Sequence, residues 1–138
     1  MSGSLGGSIR GGHLKFTPRV KESRFLARNF RVNSMIDISD GFIQDLRHIL
    51  GESRVGALVY EKLVPVSKVA RGPEEALYMG EDFELLFTLG QKDAERLMAS
   101  LSQGFTPVGK IMPRNFGLKL CGKNGRLHTP PLKGYRHF

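Results

Sequence analysis

Cysteine occurs once in this chain, at Cys121, so no internal disulfide can close, and no other ligand stands at metal-binding spacing from it. That usage fits a reducing compartment, with Cys121 as an ordinary strand residue. Long apolar runs are also missing. GALVY and FELLF fall far short of the ~20 residues that a membrane-spanning helix requires. The opening MSGSLGGS has neither the basic start nor the apolar stretch of a secretion signal, so a cytoplasmic protein with no membrane partner is expected. Compact basic runs are absent despite a net charge of +8. Lys and Arg are scattered from Arg10 to Lys133, which favours a solvated surface over a nucleic-acid face. Aromatic residues outside candidate core positions are too few for a base-stacking platform. Arrangements for nucleophilic catalysis are missing too: there is no serine elbow, no cysteine paired with histidine, and no zinc spacing among His13, His48, His128 and His137. No residue is therefore assigned a covalent catalytic role, and no internal repeat is found.

What remains is a chain of 138 residues, 40% hydrophobic and 25% charged, enough for one domain with a real core. Residues 1–12 hold Gly3, Gly6, Gly7, Gly11 and Gly12 among serines, a composition that stays flexible unless something binds it. Residues 1–14 are accordingly read as an inter-domain linker and 15–138 as the folded domain; GGSIRGG lacks the Walker phosphate-loop pattern. Thr17 as N-cap and Pro18 as first residue predict a helix to about Phe30, with Val20, Phe25, Leu26 and Phe30 inward and Lys21, Arg24 and Arg28 wet. NSMIDIS predicts a short strand. Phe42, Ile43, Leu46, Ile49 and Leu50 then keep helical spacing up to Gly51.

Further on, VGALVYEKLVPV is extended and interrupted by Pro65, and GPEEALYMG is a short helix with Pro73 in its first turn. FELLFTL alternates as a strand, with Phe83, Leu85 and Phe87 on one face. QKDAERLMASLSQG predicts a helix with Ala94, Leu97, Met98 and Leu101 inward. FTPVGKIM reads as a strand, and FGLKLCGKNGRLHTPP as a hairpin turning at Asn124-Gly125 in a type I′ turn. The order α, β, α, β, α, β, α, β, β implies an α+β layered domain with a mixed sheet flanked by helices.

Two acidic stretches stand out. MIDISDGFIQDL places Asp37, Asp40 and Asp45 within nine positions of a largely apolar segment. Asp40 is placed to cap the following helix. Asp37, between Ile36 and Ile38, is costly near a core unless it is paired, hydrogen-bonded or bound to a cation. With Ser39 between them, the two carboxylates flank a turn at a strand's end, where ligands bind in α/β layers. Hard cations such as Mg²⁺ take one or two carboxylates and leave other positions to water and phosphate oxygens. Asp45, one turn further on, either joins the cluster or, as is favoured, is a surface charge paired with Arg47 or His48. In GEDFELLF, Glu81 and Asp82 lie at a junction between elements, either facing a cleft or as solvated loop charges.

Taken together, SLGGSIRGGHLKFTPR, NSMIDISDGFIQDL, GEDFELLFT and the terminal KGYRHF resemble the C-terminal domain of the thiamine-monophosphate kinases, a branch of the aminoimidazole ribonucleotide synthetase-like superfamily. The resemblance runs from about Gly3 to Phe138. It implies a layered α/β unit that is partly ferredoxin-like, and transfer of the γ-phosphoryl of ATP to thiamine phosphate with Mg²⁺ and no covalent enzyme intermediate. It implies Asp37 and Asp40 as Mg²⁺ ligands and Ser39 as a nucleotide contact. Glu81 and Tyr135 are implied at the thiamine substrate, with Asp82 and Phe138 as the alternatives at those two places. A carboxylate and an aromatic ring suit a cationic thiazolium. Family members also carry an N-terminal domain that supplies much of the Mg²⁺ and nucleotide site and forms the homodimer. The chain resembles only the part after it, so the domain alone is expected to be inactive. The alternatives are another ATP-dependent member of the superfamily, of hydrogenase-maturation or selenophosphate type, and a basic nucleic-acid-binding module. The ending and the H-L-x-F-T-P-R opening favour the kinase branch.

Overall fold

The computed structural model describes residues 1–8, 17–100 and 104–133. In chain order the elements are α1 (Val20–Asn29), β1 (Val32–Asp37), α2 (Phe42–Ser53), β2 (Gly56–Tyr60), α3 (Pro73–Tyr78), β3 (Leu85–Leu89), α4 (Gln91–Ala99), β4 (Gly109–Met112), β5 (Leu118–Cys121) and β6 (Leu127–His128). Short 3₁₀ turns at Glu61–Leu63 and Arg114–Phe116 punctuate the second half. The α+β class is that read from the sequence, and the order agrees up to the last helix, after which three strands follow where the stated order had two.

In place of one mixed sheet there are two. β1 and β3 form an antiparallel ribbon, and a four-stranded sheet runs β4-β2-β5-β6 with β2 and β5 parallel. A two-stranded ribbon is marginal by itself; here it is covered on both faces. Leu86 and Ile36 face a large core built from Ile38, Phe42, Ile43, Leu46, Val59 and Leu120. Leu85 and Phe87 face a second cluster with Leu26, Leu97, Phe25, Phe30 and Phe105. Phe105 closes that cluster, edge-on to Phe87 with centroids 5.3 Å apart and stacked on Phe25 at 6.4 Å. The alternation read in ELLFTL is thus what lets one strand serve two cores. A register shift between Val32 and Ser34 turns Val32 to the same cluster as Met35, although the two are three residues apart.

Several boundaries differ from expectation. Helix α1 begins at Val20 with Arg19 as N-cap, because the Arg19 side chain is committed to Glu84; Thr17 does not cap it. Helix α2 runs past Gly51 to Ser53 and stops on Arg54 in a left-handed conformation (φ 53°), whose N–H bonds back to Gly51 and Leu50. Phe83 has φ 53° and lies before β3 rather than in it. Met98 is 44% exposed, and of the residues read as inward on α4 only Leu97 is buried; Leu101 lies outside the described residues. The hairpin after β5 closes with Gly125 N–H on Gly122 O and only Gly125 of the pair at positive φ, which is a three-residue loop with its bulge glycine and not a type I′ turn.

The glycine-rich start is not loose over the residues described. Met1 and Leu5 are in the large core, Ser2 N–H bonds to Leu85 O, and Leu5 pairs through its N–H with Pro65 O and through its carbonyl with Ser67 N–H. Something does bind this segment, and it is the domain itself. Among the described residues no helix is long and apolar enough to cross a membrane.

Candidate functional site

Strand β1 ends at Asp37, and the next residue, Ile38, is fully buried. That anchor holds the turn 38–41 against the loop 80–84 that leads into β3. Three backbone bonds join them: Ile38 N–H to Glu84 O at 2.8 Å, Phe83 N–H to Ile38 O at 2.9 Å, and Glu81 N–H to Ser39 O at 2.8 Å. The ladder of β1 and β3 continues past the strand ends, but in irregular form, since Glu81 (φ 65°) and Phe83 (φ 53°) both adopt left-handed backbone. Gly80 permits the approach, because a Cβ there would collide with the Ser39 carbonyl oxygen. The two acidic segments, more than forty positions apart, therefore form one site.

Its side chains fall into two groups. Asp37 is exposed, and Ser39, Asp40 and Glu81 are half-buried. The burial expected around Asp37 does not exist: it closes the strand at the rim, opposite Leu85, where its charge stays hydrated. The other group is internal. Asp45, expected at the surface, is 1% exposed, and its Oδ2 accepts the N–H groups of Ser39 at 2.9 Å and Asp40 at 3.0 Å. Burial pushes its carboxyl above the ordinary range; the two backbone bonds oppose that rise and the nearby Asp40 charge adds to it. Asp45, not Asp40, is thus the carboxylate that organises the turn, reaching back from the first turn of α2, whose N-cap is Gly41. Arg47 does not pair with it but donates to the carbonyls of Pro130 and Pro131.

Asp82 belongs to the internal group as well. Its carboxylate accepts Gly6 N–H at 2.9 Å and Gly7 N–H at 3.1 Å; burial raises its pKa, and those bonds hold it down. Glu84 is buried and takes the Ser2 hydroxyl at 2.5 Å and a two-pronged guanidinium contact from Arg19 at 2.7 and 2.8 Å. Neither role showed in the sequence: the partners of Asp82 are glycine amides, which carry no side-chain signal, and those of Glu84 are 65 and 82 positions away.

The sequence reading treats His48 only as a candidate charge partner of Asp45, not as a ligand. Ligand atoms of Asp40, Asp45 and His48 lie within 4.8 Å of one another, and the i, i+3 spacing of Asp45 and His48 on α2 is the signal that could have found them. Tyr135 and Phe138 lie outside the described residues, as do His13 and His137.

Comparison with known proteins places these loops in a family. Residues 3–119 match the model of the AIR synthase related protein, C-terminal domain. The chain is 38% identical over 125 residues to the thiamine-monophosphate kinase of Rhodopirellula baltica, covering 83% of this chain and 39% of that protein. It spans about 40% of the length of the curated relatives it matches. Among solved structures it is similar to AaThiL complexed with AMPPCP and TMP, with TM-score 0.71 at 24% identity over 99% of this chain and 50% of that one. It is similar also to the hydrogenase maturation protein HypE of E. coli, with TM-score 0.72 at 21% identity over 94% of this chain and 48% of that one. The last two likenesses speak to the fold alone. With the family model covering most of the chain, and both acidic loops inside the match, the chain belongs to the AIR synthase related proteins as their C-terminal domain.

Proposed function

We propose that this domain is one half of a phosphoryl-transfer site that uses ATP, Mg²⁺ and thiamine phosphate, as part of a thiamine-monophosphate kinase. One observation carries the reading: the backbone stitching that sets Glu81 against the Ser39–Asp40 turn and so brings the two acidic segments together; on that ground the carboxylates of 37, 40 and 81 are assigned to one rim. The relatives similar to this chain at 35–38% identity are thiamine-monophosphate kinases, and AaThiL is complexed with a nucleotide analogue and TMP.

The donor set fits the metal. Asp37 and Asp40 offer hard carboxylate oxygens at an open turn, which suits Mg²⁺ with phosphate oxygens and water in its remaining positions. When bound, the ion neutralises charge on the phosphates; the chain's own part is to hold carboxylates and the Ser39 hydroxyl in place, since phosphoryl transfer depends mostly on positioning. Glu81, with Tyr135 from the C-terminal segment, is assigned to the cationic thiazolium. The rest of the relatives' length would supply the facing half of the nucleotide site and the homodimer contact, with turnover in the cytoplasm.

The test is a titration of the 138-residue chain with thiamine phosphate and with Mg²⁺ and an ATP analogue, followed by amide chemical shifts. Shifts confined to residues 37–41 and 80–83, and reduced by Asp37→Asn and Glu81→Gln, are expected. No response at either loop, alongside salt-dependent retention on heparin, would replace this reading with a nucleic-acid module. The HypE-type alternative rests on fold alone and predicts nucleotide binding without a thiamine phosphate response.

A further inference from the structure

The loop that carries Glu81 is gripped from two sides. On one side its backbone meets the turn through Glu81 N–H, Phe83 N–H and Glu84 O. On the other, the side chains of Asp82 and Glu84 turn to the glycine-rich segment, Asp82 to the amides of Gly6 and Gly7 and Glu84 to the Ser2 hydroxyl, with Glu84 also held by the Arg19 guanidinium at the start of α1. Ser2 is doubly used, since its Oγ also accepts Leu85 N–H at 2.8 Å. The segment lies close enough that a Cβ on Gly3 would overlap the Glu84 carboxylate. Between the anchored residues stand Glu81 and Phe83, in a backbone region that L-residues rarely keep without support from their surroundings.

We propose that Asp82 and Glu84 are positioning residues for Glu81: by clamping segment 2–8 they hold residues 81 and 83 in left-handed conformation and so fix Glu81 against the Ser39–Asp40 turn. The segment is then a working part of the site, and two of its glycines are required: Gly3 and Gly6 keep positive φ, and a Cβ would overlap the Glu84 carboxylate at the first and the Ala70 side chain at the second. The consequence for substrate handling rests on the function proposed above; the clamp itself does not.

Amide hydrogen exchange on the 138-residue chain separates the two. In Asp82→Ala, exchange at Glu81 and Phe83 is expected to rise about tenfold or more, the scale of losing hydrogen bonds to a charged acceptor. Amides inside β2 and α4 should keep their rates. Asp82→Asn, which retains one acceptor oxygen, should give a smaller rise at the same two amides, and Ser2→Ala should loosen Phe83 and Leu85. Unchanged rates at 81 and 83 in both Asp82 variants overturn the proposal. So does a rise there only in step with β2 and α4, because that is general loss of stability. If Glu81→Gln leaves the thiamine phosphate response intact while the exchange pattern is as expected, the function assigned to Glu81 fails and the clamp stands.

Discussion

Asp45 is a buried charge on a helix whose other inward residues are all apolar. Its carboxylate satisfies two amides that the chain exposes in leaving β1, so removing it strands two partly buried donors. Asp45→Ala should cost about 1–3 kcal/mol, read from urea unfolding; Asp45→Asn should cost less, since one acceptor oxygen remains. The pH dependence has a definite sign. Because the folded carboxyl titrates above its ordinary value of 3.8, the native state holds its proton more tightly than the unfolded chain. Its contribution is full below 3.8 and is lost as pH rises through the higher folded value. The stability of Asp45→Asn relative to the parent should therefore improve over that window, and a gap constant from pH 3 to 7 would count against the burial described. This residue was illegible in the sequence for a simple reason: spacing puts Asp45 within the first turn of α2, but only the folded turn shows that two amides wait for it.

At the scale of elements, α1 and α4 are held to the ribbon by few buried side chains, Leu26 from one and Leu97 from the other, with aromatic rings between. Leu26→Ala should cost about 2–5 kcal/mol because the side chain is fully buried and its loss leaves a cavity, whereas Met98→Ala, at a position 44% exposed, should stay within about 0.5 kcal/mol. Urea midpoints of the two variants check this, and equal losses would mean that α4 packs differently. Order and type of the elements were readable because periodicity survives folding: the Phe42–Leu50 spacing and the alternation from Glu84 to Leu89 hold in three dimensions. Boundaries were not, because Arg19, Arg54 and Phe83 are set by tertiary partners or by left-handed backbone in non-glycine residues. The approach of the two acidic loops was also hidden, since it depends on β1 pairing with β3 across an intervening helix, strand and helix. Gly80 is its most sensitive point. Gly80→Ala should push the turn 38–41 away from the loop and abolish the amide shifts caused by thiamine phosphate, while urea stability of the β2 sheet stays near that of the parent; an unaltered titration would show that the contact is dispensable.

For the whole molecule, charge is distributed against the site. The chain carries +8 overall, yet the rim proposed for phosphates presents Asp37, Asp40 and Glu81, all of one sign. Anionic phosphates do not settle beside carboxylates unless cations intervene, and phosphoryl transfer needs those cations in place around the transferring group. Under the function proposed above, Mg²⁺ would answer part of this and the facing half of the site the remainder; the chain spans 39% of the length of its Rhodopirellula relative. The 138-residue chain alone should accordingly form no ADP above background with ATP, Mg²⁺ and thiamine phosphate, while the same residues within a protein of the relatives' full length should turn over. In that longer protein Asp37→Asn and Asp40→Asn should each lower kcat by at least about a hundredfold, as loss of a metal-positioning charge does, and excess Mg²⁺ should restore part of the rate to the single variants but not to the double one. Sustained ADP formation by the isolated chain would mean that the carboxylate rim is a complete site and that the division of labour between two halves is wrong.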